Sequence, residues 1–335
     1  MHDSQDPLSL GSPLPGDSIS GQQLPPPPPP APSLLQTIFF GPYGLRAGWR
    51  LLIYFAFAGS CYFLLALLAR ALLRPGRGFQ PGVVFAGESL LFLSAFIPAV
   101  IMGAIEKRSL AAYGLPARGA FGKSFWVGNL WGLVAISALI YALHGGHAFD
   151  YGHLVLHGAR IIKWALYWGV FFLLVGLFEE FSFRGYTLFT LYTGIGFWPA
   201  AVLLSAAFGG VHLGNPGEEW VGGLSAGLIG LFFCLTLRRT GSLWWAIGFH
   251  LSFDWGETFL YSVPNSGFVT PGHLLSSTFH GPRWLTGGSV GPEGSVLVFV
   301  LIALLFVVFN ALYREVKYPV DAVRAPAISP PEILA

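Results

Sequence analysis

Eight stretches of apolar sequence, each near the roughly 20 residues that an α-helix needs to cross a bilayer, limit this chain to a helical membrane bundle. They run approximately over residues 49–73, 83–105, 121–143, 161–191, 197–213, 220–237, 242–261 and 295–313. Hydrophobic residues make up 54% of the chain and charged residues 10%, which is more apolar surface than a water-soluble core can hide. The expected fold is therefore all-α, a polytopic membrane helical bundle of about eight transmembrane helices. The 197–213 stretch is short enough to lie inside the bundle instead of facing lipid. Small residues recur where helices must pack closely, as in Gly222, Gly223, Ser225, Gly227 and Gly230.

The spans divide the chain into a Pro-rich tail (1–36), an N-terminal group of transmembrane helices (37–160), a core (161–262), a loop (263–294), and a last helix with its C-terminal tail (295–335). The run from Pro25 to Pro30 cannot make a helix, so the first segment is expected to be a solvated, partly polyproline II tail. It lacks the basic start and compact apolar region of a cleavable signal, and the first span is expected to stay as an anchor. Eight spans put both termini on one side. The basic residues that then cluster there, among them Arg46, Arg50, Lys107, Arg108, Arg118, Lys123, Arg238, Arg239 and Arg314, make that side cytoplasmic in a multi-pass protein of the cell membrane. Arg70, Arg74 and Arg77 run against this bias. The net charge of +2, with basic residues set between apolar segments, gives no support to nucleic-acid binding. Cys61 and Cys234 lie in apolar runs and form neither a zinc-type spacing nor a disulfide framework.

Three polar constellations interrupt the later spans, each pairing residues four apart, the spacing that stacks side chains on one helix face. The first is Glu179, Glu180 and Arg184. An ionisable group costs roughly 2.5–3.5 kcal/mol at the centre of a membrane helix, so these three call for mutual compensation or a watery functional cavity. Glu180 lies one turn before Arg184 and is assigned to an ion pair with it. Glu179, rotated by about 100° from its neighbour, is left to point into a cavity as a general base. The second constellation is Phe208 and His212, with Gly209 and Gly210 between them. The third is His250 and Asp254, with Glu257 near the same face. An imidazole beside a carboxylate can hold a water, donate to an oxyanion or ligate a metal.

In this order the three strings, Glu-Glu-x-x-x-Arg, Phe-x-x-x-His and His-x-x-x-Asp, resemble the CAAX protease and bacteriocin-processing family, the membrane group that includes the type II CAAX prenyl endopeptidases. The resemblance covers approximately residues 161–261. It implies an intramembrane endopeptidase in which Glu179, assisted by His212, activates water against a peptide carbonyl while His250 and Asp254 stabilise the oxyanion. Glu180, Arg184 and Phe208 would support them. The eukaryotic enzymes carry Asn where this chain has Asp254, and an ionised aspartate repels an oxyanion; Asp254 must be protonated, orient His250 or ligate a metal. Zinc is the cofactor to weigh, with Glu179, His212, His250 and Asp254 as candidate ligands. The absence of a His-Glu-x-x-His helix favours metal-free activation by Glu179. The implied partners are membrane lipids and a peptide or lipidated-protein substrate.

Two other functional classes fit the same composition. Glutamates, histidines and glycine-interrupted helices also describe proton-coupled transporters, although no internal repeat relates the two halves. A catalytically silent scaffold or immunity protein on the same fold is the other. Glu88 and Asn129 read as helix-contact or cavity-lining residues. The loop histidines His144, His147, His153 and His157 match no recognised metal spacing. The segment from Arg108 to Leu115 reads as an interfacial anchor with Tyr113 at headgroup level. The long 263–294 connection reads as a plain loop, with a lid over the cavity mouth as the other option.

Overall fold

The computed structural model describes residues 33–41, 44–73 and 78–319. Its helices are α1 (Leu34–Phe39), α2 (Ala47–Leu72), α3 (Pro81–Ile105), α4 (Lys123–Gly145), α5 (Ala159–Arg184), α6 (Tyr186–Ile195), α7 (Phe197–His212), α8 (Trp220–Thr240), α9 (Trp244–Trp255), α10 (Arg283–Thr286) and α11 (Leu297–Leu312). Two-residue strands add little: β1 (Phe40–Gly41) pairs with β2 (Gly44–Leu45), and β3 (Phe149–Asp150) with β4 (Thr278–Phe279). The molecule is an all-α, multi-pass membrane bundle. The tail expected over residues 1–36 lies outside the described residues as far as residue 32. At Ser33 a capping box with Gln36 already starts α1.

Among the described residues, five helical segments are long and apolar enough to cross a bilayer, where eight were expected: Ala47–Leu72, Pro81–Ile105, Lys123–Gly145, Ala159–Ile195 and Trp220–Thr240. The other three apolar stretches become the shorter helices α7, α9 and α11. The expected 161–191 span is not one rod. At 37 residues, Ala159–Ile195 would extend about 55 Å as a straight helix, far beyond the roughly 30 Å of a hydrocarbon core. It breaks at Gly185, where a Cβ would fall 2.4 Å from the Phe181 carbonyl oxygen. The Thr187 hydroxyl donates to the Ser182 carbonyl and, at 2.9 Å, to that of Phe183. The break puts Glu179 to Arg184 in the last turns of α5 and turns α6 away from them.

At the centre of the bundle, α9 packs between α4 and α5. Three glycines let α4 and α9 touch backbone to backbone. A Cβ at Gly128 would lie 1.9 Å from the Trp245 carbonyl oxygen, at Gly132 2.2 Å from that of Phe249, and at Gly248 2.1 Å from that of Phe125. The Ser252 hydroxyl crosses the same seam to the Asn129 carbonyl at 2.7 Å. Without a hydrophobic drive between helices in lipid, such close approach is what holds a pair together. Gly128→Leu is therefore expected to push α9 off α4, lowering the detergent-solubilised melting temperature by about 1–4 °C, an effect of about 1–3 kcal/mol from overpacking alone; unchanged melting and unchanged proteolytic resistance would contradict this packing.

A second polar cluster ties α2, α3 and α6 at one end. Arg50 forms a 2.6 Å salt bridge with Glu106, and Tyr186 donates to the same carboxylate at 2.6 Å. Tyr113 is fully buried and donates to Glu106 at 3.3 Å, which holds the segment that carries it against the bundle.

Candidate functional site

Glu179 and Glu180 leave α5 in different directions. Glu180 has no exposed side-chain surface, whereas Glu179 keeps 22%. This divergence follows from the rotation between consecutive helix positions. Glu179 lines a cavity of about 590 Å³ together with His212 from the end of α7 and His250 and Asp254 from α9. Three residues distant in sequence thus meet at one space inside the bundle. Gly176, one turn before Glu180, faces α9 here, where a Cβ would make ordinary contact 3.4 Å from the His250 Cβ.

His250 is the hub. Its Nδ1 is 3.0 Å from Glu180 Oε1, and its Nε2 lies 3.4 Å from Asp254 Oδ2 and 3.6 Å from Glu179 Oε2. The expected Glu180–Arg184 pair is present, with Arg184 Nη1 3.4 Å from Glu180 Oε1. The same oxygen serves His250 at the shorter distance. Glu180 therefore links the buried arginine to the His250 imidazole, a contact that helix spacing within α5 could not disclose.

Phe208 supports the site from α7. The Arg184 guanidinium lies 4.2 Å from the Phe208 ring centroid, and the His212 ring 4.4 Å. The His212 Nδ1 donates to the Phe208 carbonyl at 2.9 Å, which leaves Nε2 for the cavity. Across α8, Gly230 makes room for the arginine, since a Cβ there would fall 2.2 Å from Arg184 Nη2. The four-residue spacing of Phe208 and His212 thus fixes the tautomer and position of the imidazole.

Sequence reasoning missed two residues of this cavity, Glu218 in the loop before α8 and Glu293 in the turn Pro292–Gly294 before α11. Neither has a partner at helical spacing that would mark it. Glu88 from α3 also lines the cavity, as one of its two expected roles. Asn129 makes a helix contact through its carbonyl. The 263–294 connection contributes Asn265, Ser266 and Phe268 to the wall, so part of it does cover the cavity. Glu257, expected near the His250 face, is fully buried in the π-turn Gly256–Leu260. Of the loop histidines, His144 bonds the Phe149 carbonyl at 2.7 Å and His153 the Ser276 hydroxyl at 2.8 Å. Among the described residues, no group of three or more His, Cys, Asp or Glu side chains is drawn together as a metal site.

Burial, reinforced by the Asp254 charge, pushes the Glu293 carboxyl up to about 7. A carboxyl raised above its unfolded value binds a proton more tightly in the native state, so its effect on stability declines as pH rises from about 4.5 through 7. Glu293→Gln should therefore melt at the same temperature as wild type near pH 5 and above it near pH 8. A difference that is constant across this range would show that Glu293 titrates normally.

Comparison with known proteins bears on the segment that carries these motifs. No curated protein and no solved structure matches the chain. Its residues 161–256, which hold Glu179, Glu180, Arg184, Phe208, His212, His250 and Asp254, match the family model described as Rce1-like, type II CAAX prenyl endopeptidase Rce1-like.

Proposed function

We propose that this protein is an intramembrane endopeptidase that hydrolyses a peptide bond of a membrane-associated protein or peptide with water activated by Glu179. The observation that carries this reading is the meeting of Glu179, His212, His250 and Asp254 at one cavity within a membrane bundle. The similarity of residues 161–256 to the CAAX endopeptidase model supports the same reaction class.

In the proposed reaction Glu179 takes a proton from water as the hydroxide adds to the carbonyl carbon, with His212 Nε2 holding the water in line. A doubly protonated His250 donates at Nδ1 to Glu180 and presents Nε2–H toward the oxygen that becomes negative. Such fixed donors contribute several kcal/mol to a transition state. Asp254 Oδ2, 3.4 Å from Nε2, orients the ring. Collapse of the tetrahedral species breaks the C–N bond, and the proton held by Glu179 passes to the leaving amine. Were zinc bound, Glu179, His212, His250 and Asp254 would hold it, with His250 Nδ1 still donating to Glu180, and it would supply Lewis-acid activation of water; no step here runs through a metal. The apolar remainder of the wall, including Phe171, Phe172, Val175, Ile229, Leu301 and Leu305, suits a substrate that arrives from lipid.

Purified protein reconstituted in liposomes and offered a peptide library is expected to release defined fragments, with metal content measured on the same sample. Proton or solute flux without any cleavage would replace this reading with the transporter.

A further inference from the structure

The cavity extends past the proposed catalytic groups to carboxylates that water activation does not use. Glu88, Glu218 and Glu293 line it in addition to Glu179 and Asp254. Glu88 and Glu293 lie outside the segment that matches the endopeptidase family. Among the described lining residues there is no lysine or arginine. Arg184 is sealed behind the wall against Glu180, and Arg283 is engaged elsewhere, 2.6 Å from Glu219 and donating to the Gly217 carbonyl at 2.7 Å.

Among the described residues the offset is incomplete: His212 and Arg283 reach Glu218 electrostatically and His212 reaches Glu293, but no cation is in ion-pair contact with either carboxylate. Glu293 accepts one bond, from the Ser266 N–H, and Glu218 one, from the Glu219 N–H at 3.0 Å. Immediately behind, Glu257 is fully buried, neither of its carboxylate oxygens has a hydrogen-bond partner, and it lies within electrostatic reach of Glu293 and Asp254. Buried carboxyls in that condition are costly unless a positive charge reaches them. Phe79, Trp168, Phe171 and Phe172 line the same cavity with aromatic rings, which attract cations through their faces.

We propose that the substrate carries a cationic group, a lysine or arginine side chain or a free amine, which docks at the end of the cavity formed by Glu218 and Glu293. The proposal rests on the peptidase reading above and deepens it by naming a substrate class. Its converse is equally specific: a peptide segment bearing a free carboxylate at this end meets like charge and is rejected. Burial already holds the carboxyls of Glu218 and Glu293 above the usual range, so arrival of a cation favours their ionised form and displaces a proton.

The test uses full-length protein in liposomes and a fluorogenic peptide set that varies one position at a time among Lys, Met and Glu. At the position that reaches this subsite, kcat/KM should favour Lys over Met by about tenfold and disfavour Glu by at least as much. In Glu293→Gln and Glu218→Gln the ratio of Lys to Met should fall toward one, with the loss in KM and not in kcat. Equilibrium binding of the labelled peptides, measured by anisotropy, separates this idea from the peptidase reading. Cleavage with no charge preference at any position overturns the subsite alone. Selective Lys-peptide binding that Glu293→Gln removes, without cleavage, upholds the subsite and overturns the peptidase. Equal binding of Lys, Met and Glu peptides overturns the subsite whatever the turnover.

Discussion

Glu179→Gln is expected to lower peptide cleavage by about 10²–10⁴-fold, the contribution typical of a positioned general base, while leaving the fold intact. The two predictions come from the same geometry. Glu179 lines the cavity and keeps part of its side chain exposed there, and its contact to His250 is 3.6 Å. An amide of the same size fills that place without stranding a charge. Glu180→Gln should behave differently, because Glu180 is fully buried and its Oε1 is shared by His250 at 3.0 Å and Arg184 at 3.4 Å. That variant should lose stability along with turnover. Paired measurements of cleavage rate and thermal melting on the two variants read the contrast. Full activity in Glu179→Gln, or loss of activity only in step with unfolding, would remove Glu179 from the proposed mechanism.

Most of this arrangement was legible because it repeats at helical spacing. Glu180 with Arg184, Phe208 with His212 and His250 with Asp254 each stand four apart, and each pair is in contact through ion pairing, a backbone hydrogen bond or imidazole and carboxylate. The different directions of Glu179 and Glu180 also followed from rotation alone. What helical spacing cannot express is a contact between helices. The bond from Glu180 to His250 joins α5 to α9, and Glu218 and Glu293 reach the cavity from a loop and a turn with no period to betray them. Hydropathy likewise located all eight apolar stretches yet could not say which of them form long helices. That outcome depends on breaks such as Gly185, where a Cβ would strike a carbonyl of the preceding turn. Tyr113 shows the same limit: its bond to the partly buried Glu106 carboxylate is not written in the local sequence.

Arg184→Met should destabilise the protein by about 3–5 kcal/mol, the cost of leaving a buried carboxylate without its ion partner. Arg184 and Glu180 both have no exposed side-chain surface, and their contact is a single 3.4 Å approach. The pair is incompletely satisfied, since Arg184 Nε and Nη2 and Glu180 Oε2 find no hydrogen-bond partner among the described residues. The guanidinium is instead surrounded by the rings of Phe208, Phe183 and Phe233, at 4.2, 5.6 and 5.9 Å. Such surroundings stabilise a cation but do not replace lost hydrogen bonds, so the pair as a whole adds little net stability and each half alone is costly. The double variant Arg184→Met with Glu180→Leu is therefore expected to recover most of the lost stability, giving a coupling of about 2 kcal/mol or more in a double-mutant cycle. Activity should not recover with it, because His250 loses the carboxylate that holds Nδ1. Denaturant titration in mild detergent measures the first effect and peptide cleavage the second. Additive losses in the cycle would mean that Arg184 is held by the aromatic rings and not by Glu180; a double variant that regains cleavage would show that His250 is positioned without Glu180.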